Sequence, residues 1–206
     1  MNYIIKKGDK YFPNKSLKNS AWISNPKIYK EAEKNPIKFW EEQAEEITWH
    51  KKWTQAYKEK NNFFKWFING KLNISYNALD RHLQNKSNKT ALIWIPEPEK
   101  EKPIKLTYFQ LHKEVNKFAN ALSSLGIKKG DIVCIYLPLI PEVAIAMLAC
   151  ARIGAIHSVV FSAFSSNALK TRIQDGKAKI LITADGYFRK GEKENLLAKA
   201  NDAIKE

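Results

Sequence analysis

At 206 residues with 44% hydrophobic side chains, the chain is long enough to bury a core and too apolar to remain disordered. Its formal net charge of +14 comes from 35 lysines and arginines against 21 acids, and only Arg81, Arg152, Arg172 and Arg189 are arginines. Base readout relies on arginine forks, so a lysine surplus interleaved with glutamates reads as a solvated surface, without a nucleic-acid partner.

The opening Tyr3-Ile4-Ile5 segment is too brief for the apolar region of a secretory signal, which makes the cytoplasm the default compartment. The two cysteines, Cys134 and Cys150, lie among aliphatic neighbours with no metal or redox spacing and read as inert core thiols. The long apolar stretch from Tyr136 to Phe164 is broken by Pro138, Pro141, Glu142 and Arg152. Its uninterrupted part falls short of the roughly 18 apolar residues a membrane span needs, so a buried helix is expected and no membrane partner.

In chain order, the first part is rich in lysine and aromatics, with Trp22, Trp40, Trp49, Trp53 and Trp66. Asn35 can cap a helix with Pro36 in its first position, and Phe39, Trp40, Ala44, Ile47 and Trp53 approximate a helical stripe. The tryptophans are expected to dock a peripheral, mostly helical extension over 1–75. Asn69-Gly70 marks a turn, and Ser75 is expected to cap a short helix containing Leu79, His82 and Leu83.

"TALIWI" reads as a strand, the proline-flanked lysine-glutamate cluster up to Pro103 as an exposed connection, and "IKL" as another strand. Thr107 caps a helix whose Leu111, Val115, Phe118, Ala119 and Leu122 recur at helical spacing until Gly126. The strand "DIVCIYL" follows, then a helix opened by Pro141 and Glu142 and closed by Gly154, the strand "AIHSVVF", a helix capped by Ser165, and the strand "AKILIT". Strands alternating with helices predict an α/β domain over 76–206, with a parallel sheet of the doubly wound type and helical crossovers. Its strands can be apolar throughout because both faces are covered.

Ligands of such sheets bind beyond the carboxyl ends of the strands. Two ends qualify: "VVFSAFSS", leading through Ser165 into a helix N-terminus, and "TADGYFRKGEK", a glycine-punctuated loop with Arg189, Lys190 and Lys193. Together they would seat a phosphate-bearing ligand; alternatively Ser165 is only a cap and the basic loop a solvated turn. Gly186 and Gly191 stand at Walker spacing, but Glu192 replaces the phosphate-binding lysine, and no G-x-G-x-x-G follows "DIVCIYL". His50, His82, His112 and His157 are scattered, and no nucleophile elbow is present, so no metal ligand or catalytic residue is assigned.

The segments "KWFINGKLNISYNALDRHL", "LTYFQLHKEVNKFANALSSLGIKKGD", "PLIPEVAIAMLACARIGAIHSVVFSAFS" and "ITADGYFRKG" resemble, in that order, the AMP-forming acetyl-coenzyme A synthetases (acetate-CoA ligases). "FWEEQAEEITWHKKW" is similar to that family's N-terminal extension, so the resemblance runs from about Lys27 to the end. It implies a two-step ligase: acetate and ATP give an acetyl-adenylate and pyrophosphate, then coenzyme A displaces AMP, with Mg2+ offsetting the ATP phosphate charge. The substrates implied are acetate, ATP and coenzyme A, with oligomeric state left open.

Carried over by residue, the family's coenzyme A contacts fall on Arg189, Lys190, Gly191 and Glu192 and on Phe161, Ser162 and Ala163. The basic side chains would bind phosphate, and the backbone at Ser162 and Ala163 would lie against adenine. Glu192 stands where the family usually carries a base, and its carboxylate would repel a phosphate unless Lys193 takes over the role; Ala163 stands where glycine is usual. The family's ATP loop, acyl pocket and C-terminal catalytic lysine would follow Glu206. The expectation is therefore an N-terminal fragment, inactive alone; a noncatalytic coenzyme A-binding module and a propionyl-CoA synthetase fragment are the alternatives.

Overall fold

The computed structural model describes residues 4–205. Tyr3 of the short apolar opening and Glu206, the last residue of the expected second domain, lie outside the described residues. The chain divides into two units, Met1–Lys71 and Leu72–Glu206.

The first unit begins with an antiparallel hairpin, β1 (Ile4–Lys7) and β2 (Lys10–Pro13). Three short helices follow: α1 (Lys15–Ser20), α2 (Lys27–Lys34) and α3 (Pro36–Ala44). Asn35 caps α3 as expected, its side chain accepting from Lys38 N–H at 3.0 Å, with Pro36 in the first turn where no donor is lost. A second hairpin closes the unit, β3 (Gln55–Lys60) with β4 (Phe63–Ile68), turning at Asn61 and Asn62. Both asparagines adopt left-handed angles, φ 52° and 62°, which the short Asx side chain tolerates.

The extension is thus not mostly helical, since hairpins make up nearly half of its regular structure. The supposed helical stripe ends at Ala44; Ile47 and Trp53 lie beyond the helix. Instead Trp49, Trp53 and Phe67 cluster, with ring centroids 4.9 to 5.5 Å apart. Trp49 donates its indole N–H to the Ala44 carbonyl at 2.8 Å, and Trp53 donates to Glu41 at 2.9 Å. The cluster exists because Gly70 lacks a side chain: a Cβ there would sit 2.6 Å from a Trp49 ring carbon. Trp22, expected to dock, is fully solvent-exposed in this unit.

The second unit opens with α4 (Ile74–Ala78), a 3₁₀ turn at Asp80–His82 and α5 (Leu83–Lys86). Asn73, not Ser75, caps α4, accepting from Tyr76 N–H at 3.2 Å, while Ser75 is buried inside the helix. The Asn73 amide also donates to the carbonyls of Ala151 and Arg152 at 3.0 and 3.1 Å. The antiparallel pair β5 (Thr90–Trp94) and β6 (Ile104–Thr107) leads into α6 (Tyr108–Ser124), which starts with a reciprocal capping box between Thr107 and Gln110.

Then come β7 (Ile132–Tyr136), α7 (Pro141–Ile153), β8 (Ile156–Val159), α8 (Ser166–Gly176) and β9 (Ile180–Thr183). Gly154 ends α7 at φ 75°, where a side chain would be strained, and Ser165 caps α8. A third hairpin, β10 (Gly186–Arg189) with β11 (Glu192–Asn195), precedes α9 (Leu196–Ile204). The basic segment after Thr183 is therefore a hairpin, not an open loop.

β7, β8 and β9 form a three-stranded parallel sheet in the order β8-β7-β9. Successive side chains of β7 point to opposite faces. Val133 and Ile135 join the core with Leu111, Val115 and Leu122 of α6 and Ile145 and Ala149 of α7. Cys134 and Tyr136 join a second core with Leu169 of α8 and Leu196, Ala200 and Ala203 of α9. Two covered faces explain an unbroken apolar strand. Both cysteines are buried; burial pushes each thiol up to about 11.

One ion pair stitches the first face. Arg152 donates to both Asp80 oxygens, at 3.1 and 2.6 Å, and His112 lies 3.2 Å from the same carboxylate. Burial works against the Asp80 charge, but the Arg152 hydrogen bonds and charge, with His112, outweigh it and hold the carboxyl below its usual range. Among the described residues no helix is long and apolar enough to cross a membrane.

Candidate functional site

The carboxyl ends of β7, β8 and β9 open onto one cleft of about 650 Å³. Pro138, Leu139 and Ile140 follow β7, Phe161 and Ser162 follow β8, and the stretch from Gly186 to Lys190 follows β9. Trp94, the last residue of β5, and Ile95 and Glu97 just beyond it complete the lining.

Hydrogen bonds fix each wall. The Tyr136 hydroxyl, at the end of the central strand, reaches the carbonyls of Ser162 and Phe164 at 3.0 and 2.8 Å, anchoring the turn after β8 from below. Its ring is fully buried, and burial raises its phenol above the ordinary range. It therefore serves as a neutral donor at any physiological pH. Trp94 donates its indole N–H to the Leu139 carbonyl at 2.7 Å, linking β5 to the segment after β7.

The third wall is a hairpin that depends on glycine. A Cβ on Gly186 would lie 2.6 Å from the Glu194 carbonyl, so only glycine allows the start of β10 to lie this close to the end of β11. Lys199 of α9 pairs with Glu194 at 2.8 Å; that bond raises the lysine and lowers the carboxylate, with the Arg189 charge adding to the latter.

Of the residues singled out from sequence, Phe161, Ser162, Arg189 and Lys190 line this cleft together. Phe161 is half-exposed and packs edge-to-face on Phe164, 5.9 Å between centroids, with the Arg172 guanidinium 4.6 Å from the Phe164 ring centre. Ser162 is buried. Ala163, Gly191 and Glu192 are not in the lining; Gly191 sits in the hairpin turn, and Glu192 pairs across the strands with Arg189. Nor does Lys193 line the cleft, its ammonium instead lying 5.5 Å from the Phe188 ring centre.

Trp94, Glu97, Leu139 and Tyr187 are cleft residues that the sequence did not single out. The signal for Glu97 is its place between Pro96 and Pro98; the others carry none, because strand-end side chains meet only after the sheet forms. The result is a mostly apolar and aromatic cleft whose charged lining is Arg189 and Lys190 with Glu97 and Glu101. Such a site can stack a flat heterocycle on aromatic edges, and Arg189 and Lys190 can bind an anion.

Comparison with known proteins places this geometry in a family. Residues 79–206 match the AMP-binding enzyme family, and residues 26–78 match the family described as acetyl-coenzyme A synthetase N-terminus. The chain is 52% identical over 183 residues to an acetyl-coenzyme A synthetase of Leptospira biflexa, covering 86% of this chain and 28% of that protein. It is 45% identical over 185 residues to an acetyl-coenzyme A synthetase of Bdellovibrio bacteriovorus, covering 87% and 29%. A 3-hydroxypropionyl-coenzyme A synthetase of Sulfurisphaera tokodaii is 52% identical over 180 residues, covering 86% and 27%. The chain thus spans between a quarter and a third of the length of these relatives. With the first match taking in well over half of its residues, the chain belongs to the AMP-binding enzyme family.

Proposed function

We propose that the chain forms the N-terminal part of an AMP-forming acetate-CoA ligase and that its cleft receives the nucleotide end of coenzyme A. The reaction class is condensation of acetate with coenzyme A through an acetyl-adenylate, at the expense of ATP. One observation carries the reading: residues from two different crossover ends, Phe161 and Ser162 after β8 and Arg189 and Lys190 after β9, converge on one cleft. Coenzyme A bears a flat adenine and a 3'-phosphate, which fit an aromatic shelf next to two cations. In this reading Tyr136 fixes the turn under the adenine, and Arg189 supplies a planar fork to the phosphate.

Residues 1–75 are then the extension typical of these ligases, and 76–206 the start of the large domain. The β8-β7-β9 order, with helices on both faces, supports a sheet of the doubly wound type. Relatives named for acetate and for 3-hydroxypropionate are equally identical over this region, which favours assigning it to coenzyme A binding rather than to acid selection. No residue of the chain is assigned to ATP or Mg2+ in this reading. The cytoplasm is the compartment this reading implies, in keeping with two free, buried thiols.

Calorimetry with coenzyme A and 3'-dephospho-coenzyme A tests the proposal. Coenzyme A is expected to bind more tightly, and R189A to erase the difference, a loss of about tenfold for one charge-assisted contact. Equal binding of the two ligands, or no binding of either, overturns it.

A further inference from the structure

The β10-β11 hairpin turns on two residues, Lys190 and Gly191, both in the left-handed region at φ 54° and 82°. A turn of this kind leaves central N–H groups outside the strand ladder, and such groups attract anions. One is already engaged. Gly191 N–H donates to the Glu97 carboxylate at 3.0 Å, across 94 residues of sequence.

Glu97 is held where it can do this. Proline fixes its own φ and restricts the residue before it to extended conformations, and Glu97 has a proline on either side. Pro96 is buried while Glu97 is exposed, so the stiff segment is anchored and its carboxylate projects toward the hairpin tip. Nothing lies within 4 Å of the Cβ position of Gly191, which leaves room above the tip for an incoming group. Arg189 and Lys190, the two residues before Gly191, line the same cleft as Glu97.

We propose that Glu97 is a specificity-determining residue: its carboxylate competes with a ligand phosphate for the Gly191 N–H and offsets the charge of Arg189 and Lys190, limiting how strongly the cleft prefers a phosphate there. The identity of the ligand rests on the coenzyme A reading above; the competition itself does not. Glu97 thereby acts as an internal anion in the seat that a phosphate would take. Removing its charge raises the preference for phosphate-bearing ligands.

Two variants separate competition from simple tethering of the hairpin. E97Q keeps an accepting oxygen at the tip and removes the charge, whereas E97A removes both. Calorimetry is expected to show the ratio of affinities for coenzyme A over 3'-dephospho-coenzyme A rising roughly fivefold in E97Q, the scale of one charge pair in a solvated site. A tether would leave E97Q like the wild type and weaken both ligands alike in E97A; that pattern, or an unchanged ratio, overturns the proposal.

A second readout does not depend on coenzyme A. Inorganic pyrophosphate is titrated while the Gly191 amide resonance is followed by NMR, and its midpoint is expected at roughly fivefold lower concentration in E97Q. If neither protein binds coenzyme A yet this midpoint moves as expected, the coenzyme A reading fails and the competition stands. An identical midpoint in wild type and E97Q overturns the competition.

Discussion

The two units of the chain use the same amino acids in opposite ways. In the second, apolar side chains from α6, α7, α8 and α9 enclose both faces of β7 and are buried. In the first, Ala44 and Ala56 are the only buried apolar side chains among the described residues, while Ile4, Tyr11, Trp22, Tyr29 and Phe63 stand in solvent. Its order comes from local devices: two hairpins, an asparagine cap and the cluster of Trp49, Trp53 and Phe67. Hydrophobicity of composition therefore says little about stability. What matters is whether a second layer exists to exclude water.

The largest test of this contrast is truncation of a leucine in each unit. Leu169→Ala empties a fully buried site and is expected to cost about 3 kcal/mol, whereas Leu17→Ala, at a position 39% exposed, costs less than about 0.5 kcal/mol. Urea titration followed by far-UV circular dichroism compares them, and equal costs would erase the distinction.

Next in size is Asp80→Asn, which strips Arg152 of its partner on the packed face. We expect a loss of about 2 kcal/mol at neutral pH, below the range for fully buried pairs because both side chains keep a fifth of their exposure. The pH dependence sharpens the point. A carboxyl held below its usual range in the folded state contributes in full above its unfolded value near ~4, and that contribution disappears as pH falls through the folded value. The stabilities of wild type and D80N should therefore begin to converge below about pH 4 and meet only below the lower folded-state value.

A smaller and more local effect is expected in the first unit. Gly70→Ala forces a methyl against the Trp49 ring and should cost about 1 to 2 kcal/mol, read as a loss of near-UV dichroism from the indole cluster. Amide exchange in β7 should not respond, and a response there would mean that the two units do not unfold separately. Smallest is Trp22→Ala, where a fully exposed ring is removed for less than about 0.5 kcal/mol, measured by the same urea titration.

How far the sequence could be read follows the same divide. Thr107, Pro141, Gly154 and Ser165 announce their elements because capping is a matter of a few neighbouring atoms, and the structure keeps all four in those places. Ser75 misled because Asn73, two residues earlier, is an equally good cap and also reaches the end of α7. The β3-β4 hairpin went unread although Asn61-Asn62, both at positive φ, is a fair left-handed turn signal.

At the candidate site, the rule that clefts open at the carboxyl ends of parallel strands led to the segments after β8 and β9, and the family resemblance singled out Phe161, Ser162, Arg189 and Lys190 within them. Trp94 had no such guide, and Glu97 only its two flanking prolines. Their places depend on where the β5-β6 pair packs, a long-range outcome that no local spacing encodes.

Cys134 belongs to one packed face of the sheet and Cys150 to the other. The molecule therefore contains its own pair of gauges. Each sulfur is sheltered from alkylating reagents until its side of the sandwich breathes, so the rate at which each is labelled reports the opening free energy of that side alone. Without adding a probe, one can learn whether the two layers come apart in one event or in two.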